Sequence, residues 1–167
     1  GHCSMVGASG AATRKSYGGK LLQLRALDYI TADFLSDNHA LIVYHDDAGG
    51  AFVNIGWVGT VSSVTGVSSA QVAISEIGVT NPDFSFGQQA SGRGIPFNFL
   101  LRDILQFDRS LLQAEHRINT TKRTCDLILA VGDGSKGSDG GGLDGDGLGG
   151  VGGGDGLGGG GDDEGGG

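Results

Sequence analysis

The sequence predicts an α+β fold, and three observations carry that reading. The first half is cut into short apolar or alternating runs by Gly, Asp, Asn and Ser, as antiparallel strands and their turns are. Residues 96–120 then place apolar side chains at helical spacing. From residue 132 onward the chain is Gly-rich, with few apolar groups. Strands in one block followed by helices imply separate layers, with the helices on one face of the sheet.

The elements follow in order. Cys3-Ser4 stands near the start, on a strand that precedes the next one. Residues 21–27 and 40–44 are apolar runs, 51–57 alternates, and 71–79 is a further short run. Gly18-Gly19, Ser36-Asp37-Asn38, and residues 46–50 and 66–69 read as breaks. Asp46-Asp47-Ala48-Gly49-Gly50 is a hairpin signal, because glycine takes the positive φ that a tight turn needs. Residues 80–95 read as a loop: Asn81-Pro82-Asp83 and the Gly87–Gly94 stretch supply turn residues and no periodicity. In 96–120, Phe97, Leu100, Leu101, Ile104, Leu105 and Phe107 make one helical face. Pro96 fits the first helical position, where its missing N–H costs nothing. Asp108-Arg109-Ser110 interrupts the run, and Leu111, Leu112, Ala114 and Ile118 continue it, with Ser110 or Asp108 as the cap. Residues 124–131 return to strand.

The chain thus divides into a folded part, 1–131, and a tail, 132–167, expected to be disordered. The tail holds 21 of the 35 glycines, with eight acidic residues against one lysine. So few apolar groups cannot offset the entropy of ordering so much glycine. Of the overall charge of −8, −7 belongs to this tail. The near-neutral remainder offers no basic stripe for nucleic acid. No apolar run is long enough to span a bilayer. His2, His39, His45 and His116 lack ligand spacing, so neither metal nor cofactor is expected. Cys3 and Cys125 are too few for a disulfide framework. Asn119-Thr120-Thr121 is a glycosylation triplet, meaningful only in a secreted chain.

Chemistry concentrates at the front. Cys3 is followed by Arg25-Ala26-Leu27-Asp28-Tyr29 on the next strand. A cysteine at a freed N-terminus can use its own α-amino group as base, with an Arg and an Asp holding the charges. Asn54-Ile55-Gly56-Trp57-Val58-Gly59, Ile74-Ser75-Glu76, Gly94-Ile95-Pro96-Phe97, Leu100-Leu101-Arg102-Asp103-Ile104 and Lys122-Arg123-Thr124-Cys125 follow. In that order these segments resemble the cysteine N-terminal-nucleophile hydrolases: acid ceramidase, bile salt hydrolase, penicillin V acylase and acyl-CoA:6-aminopenicillanic acid acyltransferase. The resemblance covers about residues 2–134.

The resemblance implies an αββα sandwich, self-cleavage before the cysteine, and attack on a non-peptide amide. Cys3 would be the nucleophile, Arg25 would favour its thiolate, and Asp28 would orient the α-amino group. Many members carry an oxyanion-hole Asn where this sequence has Ser68, whose hydroxyl is the candidate donor in its place. Later segments of the family supply a catalytic Asn and Arg and complete the second sheet, where this chain turns Gly-rich. Gly1-His2 is also short for a leader. The expectation is therefore a partial sandwich. Its substrate class would be a small-molecule or lipid N-acyl amide, and its compartment lysosomal or secreted if it follows the ceramidase-like members. The alternative is a catalytically incomplete piece acting as an interaction module.

Overall fold

The computed structural model describes residues 2–28, 33–47, 50–78, 94–124, 127–137 and 148–152. The strands are β1 (His2–Ala8), β2 (Leu22–Asp28), β3 (His39–His45), β4 (Ala51–Trp57), β5 (Thr65–Ser68), β6 (Val72–Gly78), β7 (Leu127–Asp133) and β8 (Leu148–Gly152). The helices are α1 (Arg14–Tyr17), α2 (Asp33–Asp37), α3 (Phe97–Phe107) and α4 (Leu111–Thr120).

β3 to β8 form one antiparallel sheet in sequence order, and β1 and β2 form a separate antiparallel pair. Alternation gives each strand of the larger sheet two faces. Phe52, Val72, Ile74, Leu129 and Val131 lie on one face and are buried against Leu100, Leu101, Ile104 and Leu105 of α3 and Leu111, Ala114 and Ile118 of α4. This is the expected arrangement, with both helices on one face. The opposite face receives the β1–β2 pair over β6 and β7. There a Cβ on Gly132 would collide with Leu21 and come within 2.8 Å of Gln23 Oε1. Among the described residues three layers result: helices, a six-stranded sheet and a two-stranded sheet.

The helical break falls where the sequence placed it. Ser110 caps α4, its hydroxyl accepting from Gln113 N at 3.4 Å. Asp133 at the end of β7 also accepts from Leu111 N at 3.1 Å. Pro96 stands one residue before α3 rather than inside it. The turn read at 46–50 joins β3 to β4, with Asp46 N donating to Gly50 O at 3.0 Å and Gly50 N to Asp46 Oδ1 at 2.7 Å.

Two readings change. Residues 66–69 are not a break: β5 pairs with both β4 and β6 there. Gly66 serves close packing rather than a turn, since a Cβ on it would approach Leu105 Cδ1 to 2.6 Å and the Val53 carbonyl closer still. Order also passes residue 131. β7 runs to Asp133, a 3₁₀ turn covers Gly134–Gly137, and β8 pairs its Leu148–Gly152 with β7. β8 takes its main-chain partners from an existing strand, so it needs no core of its own. The loop expected at 80–95 lies outside the described residues except for its last two. Of those, Ile95 bridges Arg123. Cys125 also lies outside them.

Candidate active site around Cys3 and Arg25

β1 and β2 pair with Cys3 opposite Leu27, Met5 opposite Arg25 and His2 opposite Asp28. Side chains at alternate positions share a face. Cys3, Met5, Gln23, Arg25 and Leu27 therefore all point inward, toward β5, β6 and β7, and all are half-buried. Cys3 is a free thiol. It is a diagonal cross-strand neighbour of Arg25, a separation that a long side chain can bridge.

The Arg25 guanidinium is fixed by three bonds. Nε donates to the Glu76 carbonyl at 2.8 Å, one terminal nitrogen to Thr65 Oγ1 at 2.9 Å, and the other to the Glu76 carboxylate. The cause is a ladder end. Thr65, the first residue of β5, pairs with Ser75, so β6 has no strand partner on that side at Glu76. Arg25 enters the vacancy and supplies the missing donor. Both side chains are nearly enclosed, at 5% and 8% exposed. Burial pushes the Glu76 carboxyl above its ordinary range, and the charge and hydrogen bond of Arg25 pull it part of the way back.

Gln23 braces the same wall, donating to Ser75 Oγ at 2.7 Å and to the Ala130 carbonyl at 3.3 Å. Ser75 Oγ lies 3.1 Å from Met5 Sδ. Arg25, Gln23 and Thr65 line a cleft of about 340 Å³ that also includes Lys20, Ile55 and Val67. Cys3 is not among its lining residues.

Asp28 ends β2, exposed and on the opposite face from Arg25, so the two form no pair. Ser68 is buried at the end of β5. It alternates with Thr65 and lies on the helix side with Gly66, and its hydroxyl accepts from Val72 N at 3.3 Å. The structure therefore brings Cys3 and Arg25 to one face and sets Asp28 at the strand end, while Ser68 lines the cleft that Arg25 lines, its hydroxyl accepting from Val72 N. The sequence does not single out Glu76 or Thr65 as site residues: Ile74-Ser75-Glu76 stands there only as a segment, and a contact across 51 residues has no local signal. Among the described residues no group of three or more His, Cys, Asp or Glu is placed to hold a metal. No described helix is long and apolar enough to cross a membrane.

No family model matches the chain. The chain is similar to Protein dcd1B of Dictyostelium discoideum, 39% identical over 132 residues that make up 78% of this chain and 25% of that protein. It is also similar to Protein dcd1A of the same organism, 37% identical over 139 residues, 78% of this chain and 30% of that protein. The chain thus spans between a quarter and a third of the length of these curated relatives.

Proposed function

We propose that this chain carries the nucleophile of an amidohydrolase or acyltransferase that cleaves a linear, non-peptide C–N amide. Cys3 accepts the acyl group. One observation carries the reading: the register that sets Cys3 opposite Leu27 gives it the same inward face as a guanidinium locked by Glu76 and Thr65.

The chemistry proceeds in two halves. Cleavage of the His2–Cys3 peptide bond frees the Cys3 α-amino group, whose ordinary pKa of about 8 leaves it partly neutral near pH 7. Asp28 faces His2 across the pair, so the new amine opens at the start of β1, beside the end of β2 at Asp28. The amine takes the thiol proton as Sγ attacks the substrate carbonyl carbon. The C–N bond breaks, the proton goes to the departing amine, and the acyl group remains as a thioester. Water, or an acceptor amine, then attacks that thioester and restores the thiol. N-acyl sphingoids, N-acyl amino compounds and bile-acid conjugates are the substrate class.

A second reading, a catalytically silent interaction module, is favoured by the cleft itself: Arg25 and Ser68 line it and Cys3 does not, so the candidate oxyanion donor stands apart from the thiol. Loss of an oxyanion donor costs on the order of 10²–10³ in rate. The two separate by acyl capture. The chain is incubated with a panel of N-acyl amides and thioester acyl donors, then digested and mapped. The enzyme reading expects a hydroxylamine-labile acyl group on Cys3 that Cys3→Ala abolishes and Arg25→Gln reduces at least tenfold. No acyl group on Cys3 from any donor would leave the module reading.

A further inference from the structure

The Asn119-Thr120-Thr121 triplet has no part in the amide chemistry. Of Asn38, Asn54, Asn81, Asn98 and Asn119, only Asn119 has Ser or Thr two residues on. The structure puts this triplet at the end of α4. Leu111, Ala114 and Ile118 form the buried side of that helix. Leu112, His116 and Asn119 follow at i, i+4 and i+7, so they share the outer side. All three are exposed, Leu112 at 74%. The Thr120 hydroxyl turns back to donate to the His116 carbonyl at 2.8 Å. The helix stops there, and Thr121 caps it in extended backbone, at φ −89° and ψ 122°. A groove lined by Leu112, His116, Thr120 and Thr121 runs beside the triplet, so the surface around Asn119 has room for a large group.

We propose that Asn119 is the acceptor of an N-linked glycan when the chain enters a secretory lumen. The donor is an oligosaccharide held on a polyprenyl diphosphate. Asn119 Nδ2 attacks the anomeric carbon, and the bond from that carbon to the diphosphate oxygen breaks. Nδ2 gives one proton to the transferase's base, and the polyprenyl diphosphate departs. A group this bulky and hydrophilic belongs on a surface. The triplet meets the remaining demands. Its middle residue is not Pro, and the Thr121 hydroxyl stands two residues on, where the transferase reads it. The last turn of a helix frays, so presenting Asn119 disturbs little of α4. The position also spares the nucleophile. The helices cover one face of the six-stranded sheet, and the β1–β2 pair lies on the opposite face, so the glycan stands across that sheet from Cys3.

The test uses the full 167-residue chain, expressed in eukaryotic cells behind a cleavable secretory leader. Molecules that have lost the leader, and so have entered the lumen, are analysed by intact mass and peptide mapping. The wild type carries one oligosaccharide that peptide-N-glycosidase F removes, leaving an aspartate where Asn119 stood. Asn119→Gln and Thr121→Ala lose the oligosaccharide completely, whereas Thr121→Ser keeps it, because the transferase accepts either hydroxyl. Asn119 is exposed, so Asn119→Gln made without sugar in bacteria keeps the thermal midpoint of the wild type made the same way. That control separates loss of the acceptor from loss of the fold. Cys3→Ala is glycosylated as the wild type is, so this result is independent of the amide chemistry. Three outcomes would overturn the proposal: leader-free wild type without a glycan, a glycan retained by Asn119→Gln, or a carbohydrate that the glycosidase does not release.

Discussion

Gln71 is the one non-glycine residue with a left-handed backbone among the described residues, at φ +65°. It sits in the β5–β6 turn, where its N–H donates to Ser68 O and its carbonyl accepts from Gly134 N, both at 2.9 Å. Those bonds need the backbone only. Gln71→Gly therefore removes a steric cost of about 1 kcal/mol and raises the thermal midpoint by a few degrees in a melting experiment. Glu76 makes a second prediction. Its folded carboxyl titrates above the ordinary 4.5, chiefly because it is buried. Between those two values the folded state holds a proton that the unfolded state has released, so stability falls as pH rises. Urea denaturation across that window should show wild type losing stability relative to Glu76→Gln. A difference that grows with pH would contradict the burial argument. The sequence announced Cys3, Arg25 and Asp28 through their spacing, but the partner of Arg25 could not be read there. It is Glu76, reached because β5 begins at Thr65, and the start of a ladder is fixed by tertiary pairing.

At the scale of elements, α4 illustrates what local rules capture. The sequence offered Ser110 or Asp108 as its cap, and Ser110 holds the position. Asp108 instead pairs with Arg117 at 2.8 Å. What local rules missed is Asp133, which comes from β7 to accept from Leu111 N. Ser110→Ala should cost about 1 kcal/mol. Asp133→Ala should cost more, about 1–3 kcal/mol, because it strands a buried N–H. Chemical denaturation of both variants checks the order. β5 was illegible for a related reason. Gly66 and its serines carry the composition of a turn, yet the glycine is there because β4 and α3 press on it. β8 was hidden likewise: its residues lack a core of their own, and the strand forms by pairing with β7.

At the scale of the whole molecule, periodicity gave the helix layer and the antiparallel sheet, because buried faces leave a period in the sequence. It did not separate β1 and β2 from the larger sheet, since a period does not say which strands pair. The contact between the sheets depends on Gly132, where a side chain would meet Leu21 and Gln23. Gly132→Ala should lower stability by about 1–3 kcal/mol through overpacking. Its effect on amide exchange should concentrate in β1 and β2 and leave α3 protected. Uniform loss of protection would mean that the layers do not open separately.

The central claim is that Cys3 becomes an N-terminal nucleophile, and the intact mass of the purified chain tests it most directly. The account predicts that the wild type loses the Gly1-His2 dipeptide while Cys3→Ala keeps it. Unchanged masses in both would contradict the account and leave the Cys3–Arg25 face without its base.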